Sequence, residues 1–117
     1  MKTVRVILSP DAEEVYKHLN EKAPSSKLER SILNAVNKKV ELIKANFHYG
    51  EPIAKDKIPA EYRQKYGISN LFWVELPQFW RMLYSLNPGE TEIEIVAFVL
   101  EISDHGKYDK LMGYKRK

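Results

Sequence analysis

Residues 93–102 constrain this chain more than any other stretch. Ile93, Ile95, Ala97 and Val99 fall on one side of an extended backbone, and Val96, Phe98 and Leu100 fill the other. A strand that is apolar on both sides must be covered on both sides, so it belongs in the middle of a sheet. The segment before it, residues 79–86, contains Trp80-Arg81-Met82-Leu83-Tyr84 and reads as a second strand. Between them, Asn87-Pro88-Gly89-Glu90 sets proline and then glycine at the middle positions of a type II turn. The two strands are therefore expected to form a hairpin.

Upstream, residues 2–8 alternate, with Val4, Val6 and Leu8 on one side and Arg5 on the other. Ser9-Pro10-Asp11 then carries three helix-start signals: a serine N-cap, a proline at the first helical position and an early acid. Ala12, Val15, Tyr16, Leu19 and Ala23 follow at helical spacing. Ala23-Pro24-Ser25 interrupts the pattern. Ser26 with Glu29 three residues later is a capping box opening a longer helix, whose apolar side runs from Leu28 through Ile32, Val36 and Ile43 to Phe47. His48-Tyr49-Gly50 ends that helix, with Gly50 as its expected cap. Residues 51–58 read as irregular. Residues 59–66 read as a short helix stopped by Gly67, and residues 70–76 as a further strand. The order β-α-α-(α)-β-β-β predicts an α+β fold, a two-helix hairpin packed on one face of a largely antiparallel four-stranded sheet. The opposite face is expected to stay open and to receive Arg81, which alternates with Trp80, Met82 and Tyr84.

At 117 residues the whole chain, 1–117, is expected to be a single domain. It has no cysteine, which excludes disulfides and thiolate metal sites, and no apolar run near the roughly 20 residues of a membrane span. The expectation is a soluble, cytoplasmic protein. The net charge of +3 is uneven. From His105 onward, Lys107, Lys110, Lys115, Arg116 and Lys117 outweigh Asp109 to give +4, leaving −1 for everything before. A cationic end beside a near-neutral body suits a polyanionic partner. No glycine-rich phosphate loop, nucleophile elbow or metal-ligand cluster is present, and His18 and His48 have no second ligand on their own elements. No metal and no cofactor is expected. Trp73 and Trp80 are expected in or beside the core, with either able to offer a base-stacking platform.

The chemistry-bearing residues cluster at one end of the hairpin. Arg81 opens one strand, and the other runs into Asp104-His105-Gly106-Lys107-Tyr108-Asp109. A cation, an imidazole whose ordinary pKa is about 6.5 and a phenol are the groups that phosphodiester chemistry on RNA requires.

Several segments, in order, resemble the RelE/ParE toxin superfamily, and in particular its RelE-like and HigB-like members. These are Gly50-Glu51-Pro52-Ile53 with Lys55 and Lys57, Tyr66-Gly67-Ile68-Ser69-Asn70-Leu71, the aromatic-Arg-x-x-Tyr strand Trp80-Arg81-Met82-Leu83-Tyr84, and the His-x-x-Tyr-Asp ending at His105, Tyr108 and Asp109. The resemblance implies the toxin of a toxin–antitoxin pair. Such a toxin is a metal-independent endoribonuclease that cuts messenger RNA on the ribosome and leaves a 2′,3′-cyclic phosphate. It implies two partners, the RNA with its ribosome and a short antitoxin protein. Carried over by position, Arg81 would hold the phosphate, His105 would be general acid or base, Tyr108 would contact the reacting nucleotide, and Glu51 would serve as a base if its loop folds back. Lys55, Lys57, Lys107, Lys110, Lys115 and Arg116 would line the RNA.

One departure stands out. RelE carries lysines on the strand before the arginine strand, where this chain has Phe72-Trp73-Val74-Glu75, and Glu75 would repel phosphate if aimed at the site. The superfamily also holds ParE-like members that inhibit DNA gyrase without catalysis, and inactive relatives that keep the fold for antitoxin binding. Both are alternatives to the nuclease reading.

Overall fold

The structure is a computed structural model that describes residues 3–89 and 94–103. Its elements are β1 (Thr3–Leu8), α1 (Pro10–Lys22), α2 (Lys27–Ala45), β2 (Glu51–Pro52), α3 (Ala60–Tyr66), β3 (Phe72–Glu75), β4 (Arg81–Pro88) and β5 (Glu94–Ser103). Short 3₁₀ turns at Lys55–Lys57 and Pro77–Phe79 join them. The α+β class is as expected. The sheet has five strands rather than four, in the order β1-β5-β4-β3-β2. β5 is indeed interior, paired parallel to β1 on one side and antiparallel to β4 on the other. No helix among the described residues is long and apolar enough to cross a membrane.

The helix starts form as their residues dictate. Ser9 Oγ accepts from the Ala12 N–H at 3.0 Å, with Pro10 in the first helical position. Ser26 Oγ accepts from the Glu29 N–H at 3.4 Å, and its hydroxyl donates to the Glu29 carboxylate. That bond holds the Glu29 carboxyl below its usual range. Gly67, with φ of 64°, caps α3 in the left-handed conformation.

Even-numbered residues of β3 and β4 face the α1–α2 layer. Val74, Met82 and Tyr84 join Leu19, Ile32, Val36, Ile43, Val99 and Ile102 there. Val99 and Ile102 are an odd number of residues apart, yet both reach this core. A register shift makes it possible, since Tyr84 pairs with Val99 and Leu83 with Glu101, which leaves Leu100 as an extra residue. The strict alternation expected along residues 93–102 therefore breaks at this bulge.

The opposite face is not fully open, which corrects the sequence expectation. Ile58, Tyr62, Ile68 and Leu71 close over Leu83 in a second, smaller cluster, with Ile53, Tyr66 and Trp73 packed against it. This cover reaches the rows of Leu71 and Trp73.

Three further boundaries differ from expectation, each because a tertiary contact supersedes a local signal. Glu51 and Pro52 pair with Trp73 and Phe72 as an edge strand too short to show any alternation. Asn87 and Pro88 pair with Val96 and Ile95 inside the ladder, so the hairpin loop falls after them. Phe79 lies in a turn, not in β4. Gln78 and Phe79 both take left-handed φ values, 58° and 64°, without being glycine. Each such residue costs about 1–2 kcal/mol. The turn closes through Leu76 N–H to the Trp80 carbonyl at 2.9 Å and Trp80 N–H to the Pro77 carbonyl at 3.2 Å.

Gly50 is not the helix cap. Asn46 occupies that position in an extended conformation. Gly50 is needed because a Cβ there would sit 2.8 Å from Tyr84 Cε1 and 3.0 Å from the Trp73 carbonyl oxygen. Its N–H donates to Tyr84 Oη at 2.8 Å, and Tyr84 Oη donates to the Phe47 carbonyl at 2.9 Å.

Tyr84→Phe leaves both of those backbone groups without their partner. The expected cost in a denaturant titration is about 1–3 kcal/mol. Burial, above all, pushes the Tyr84 phenol above its ordinary value, against the opposing pull of the Gly50 N–H. The fold thus retains a proton that the unfolded chain releases above about pH 10. Wild-type stability should decline as pH rises past that point more steeply than that of Tyr84→Phe. Parallel alkaline limbs for the two proteins would contradict this.

Candidate functional site

Arg81 is the first residue of β4, fixed there by the turn that ends at Trp80. Its cross-strand partners are Glu75 on β3 and Ser103 on β5. Partners in an antiparallel ladder share a face, so Glu75 and Arg81 form one row. The next row on the same face holds Glu51, Trp73 and Leu83.

Within this patch the guanidinium carbon lies 5.4 Å from the centroid of the Trp73 ring, a cation–π contact. One Arg81 nitrogen donates to the Trp80 carbonyl at 3.0 Å. Half-buried, Arg81 is therefore oriented by an aromatic bed and one backbone bond, and among the described residues it makes no ion pair. A guanidinium has five N–H donors in a fixed fork. The remaining ones can meet two oxygens of one phosphate.

Glu51 needs no folded-back loop. Pairing with Trp73 puts it on the same face as Arg81, exposed at the sheet edge. Glu75, read from sequence as a hindrance, is the exposed cross-strand neighbour of Arg81. Two carboxylates thus flank the Arg81–Trp73 stack. The signal for this was present in the parity of Trp73 and Glu75, but the register that puts them opposite Leu83 and Arg81 could not be read from it.

Lys55 and Lys57 are exposed on the 3₁₀ turn after β2. The Lys55 carbonyl accepts a bond from the Arg63 guanidinium. Lys55 lines a separate cavity of about 290 Å³ with Arg63, Gly67, Ile68 and Ser69, which includes neither Arg81 nor Trp73. The structure thus brings Glu51 to Arg81's face and sets Lys55 against α3. His105, Tyr108, Lys107, Lys110, Lys115 and Arg116 lie outside the described residues. Ser103, Arg81's partner on β5, is the last described residue, two positions before His105 in the chain.

Tyr84, the last residue of the aromatic-Arg-x-x-Tyr strand, faces the helix layer and is fully buried. Its ring stacks on Phe72 with centroids 5.2 Å apart and planes 14° from parallel. Its role is to hold the turn after α2, not to meet a ligand. Trp80 packs against the same core.

The two tryptophans therefore report on different places. For any anion that seats on Arg81, Trp80→Phe should retain the emission change of Trp73, and Trp73→Phe should lose most of it. A response carried by Trp80 instead would place the anion away from Arg81.

The chain matches no protein-family model, no curated protein and no solved structure.

Proposed function

We propose that this chain is a RelE-like toxin, an endoribonuclease that cuts messenger RNA on the ribosome without a metal and is neutralised by a short antitoxin. The observation that carries this reading is the setting of Arg81. It is a guanidinium oriented on the Trp73 ring, without an ion pair among the described residues, and flanked in the sheet register by Glu51 and Glu75. The ordered resemblance of residues 50–59, 66–71, 76–77, 80–84 and 102–110 to these toxins supports it from the sequence side.

The reaction follows from those groups. A carboxylate, Glu51 or Glu75, takes the proton of a ribose 2′-hydroxyl. The 2′-oxygen bonds to the adjacent phosphorus while the bond from phosphorus to the 5′-oxygen breaks. Arg81 holds the negative charge that builds on the two non-bridging oxygens. His105 gives a proton to the departing 5′-oxygen, leaving a 2′,3′-cyclic phosphate on one fragment and a 5′-hydroxyl on the other. Tyr108 contacts the reacting nucleotide, and Lys107, Lys110, Lys115 and Arg116 supply a cationic approach in the cytoplasm, where transcript and ribosome meet.

Induction of wild type in cells, with transcript 5′ ends mapped, tests this reading. Wild type should arrest growth and create new ends. Arg81→Ala and His105→Ala should each lower cleavage by about 10²-fold or more, the usual weight of one charge-stabilising or proton-transferring group. Arrest with DNA-damage signalling and intact transcripts would contradict the reading in favour of a gyrase inhibitor. No growth effect at all would point to an inactive binding relative.

A further inference from the structure

We infer that the cavity between α3 and the 3₁₀ turn after β2 is a phosphate-binding site, separate from Arg81, in which Lys55, Arg63 and Ser69 hold the anion. The inference does not depend on the reaction proposed at Arg81.

The cavity measures about 290 Å³ and is lined by Lys55, Arg63, Gly67, Ile68 and Ser69. Its walls carry two cations and no acid. Among the described residues neither Lys55 nor Arg63 makes an ion pair, although Asp56 and Glu61 are close in the chain. Two like charges around one recess repel each other, weakly where water reaches them and more strongly where it does not. The core contact of α3 is made by Tyr62, so packing does not require the two cations to meet. An anion in the recess supplies the missing charge.

The guanidinium has an anchor. It donates to the Lys55 carbonyl, which ties α3 to the turn and brings both cations to one cavity. That bond leaves most of its N–H donors available, and the planar fork matches two oxygens of one phosphate. Lys55 adds a compact point charge, and Ser69 adds a hydroxyl.

The backbone contributes as well. α3 ends on Gly67 in the left-handed conformation, and the next two N–H groups, those of Ile68 and Ser69, meet no acceptor among the described residues. Ile68 is nonetheless a buried residue. An unsatisfied N–H on a buried residue is uncommon in folded proteins. Successive N–H groups beside a left-handed residue form the kind of concavity that accepts anions.

This mixture selects the ligand class. Fork, ammonium, hydroxyl and two N–H groups together outnumber the roughly four lone-pair sites of a carboxylate. The oxygens of a phosphate can accept them all. The volume lies near the lower end of the range of about 300–1,000 Å³ typical of small-molecule sites, which suits a phosphate group rather than a large ligand. Two sources share this chemistry, a free phosphate compound and the phosphate backbone of RNA, and the test separates them.

Nuclear magnetic resonance of the full chain, titrated with inorganic phosphate against chloride of equal ionic strength, reads the Ile68 and Ser69 amides directly. A second titration uses a short single-stranded RNA with every 2′-hydroxyl methylated, which blocks attack by that oxygen. At least one titrant should move both amide signals. Lys55→Gln with Arg63→Gln should abolish the movement, and Arg81→Ala should keep it. For the RNA, the same double variant should lower the slope of log affinity against log salt by about 1.4, two contacts at about 0.7 each. Spectral dispersion shows that the double variant is folded. Ser69→Ala, which leaves the Arg63–Lys55 anchor in place, should weaken binding severalfold. Movement with inorganic phosphate assigns the site to free phosphate compounds, movement with RNA alone assigns it to the backbone, and both uphold the inference. Amides that stay still with both titrants, or that move equally in the double variant, overturn it. A filled cavity in a protein that cuts no transcript sinks the nuclease reading and leaves this inference standing.

Discussion

The hydroxyl of Tyr84 ties the two halves of this molecule together. It lies at the centre of the sheet, yet it bonds both to the Phe47 carbonyl and to the Gly50 N–H, which belong to the chain leaving α2. Those two bonds decide where that chain meets the sheet. Once Gly50 rests against the Tyr84 ring and the Trp73 carbonyl, Glu51 comes opposite Trp73 and the edge strand β2 follows. A side chain at position 50 would push this junction apart. The placement of one carboxylate of the candidate site thus depends on a buried phenol that takes no part in its chemistry.

The sheet's two faces carry unequal hydrophobic clusters among the described residues. The helix layer seals the even-numbered face of β3 and β4 with large aliphatic residues. On the other face, Ile53, Ile58, Tyr62, Ile68 and Leu71 cluster about Leu83, with Trp73 packed against them. A half-buried guanidinium on a tryptophan ring beside such cover has lost some motional freedom. The proposed reaction asks for such preorganisation of its charge-stabilising group.

Much of the frame was legible in the sequence because its signals are local. Ser9-Pro10 and the Ser26–Glu29 pair opened helices where expected, and the doubly apolar run at residues 93–102 did give an interior strand. What escaped depends on partners distant in the chain. The bulge at Leu100 has no glycine to announce it, and the reversal at Gln78–Phe79 uses residues that ordinarily avoid that conformation. β2 exists only because Trp73 and Phe72 offer it an edge. The Asn70 side chain does a strand's work without belonging to one. Its amide donates to the Leu86 carbonyl at 2.9 Å and accepts from the Leu86 N–H at 2.7 Å, so β3 starts later than residue pattern implies. Of the site, Arg81's face followed from alternation alone. The neighbours that orient and flank it required the register.

The central claim is that Arg81's face supports attack by a ribose 2′-oxygen on the adjoining phosphorus. Mass spectrometry of the fragments made from a ribosome-bound transcript tests it directly, with a matched transcript that lacks the 2′-hydroxyl at the mapped cut. The account predicts a 2′,3′-cyclic phosphate on the upstream fragment and no cutting of the 2′-deoxy transcript. Equal cutting of both transcripts, or an upstream fragment ending in a free 3′-hydroxyl, would contradict it.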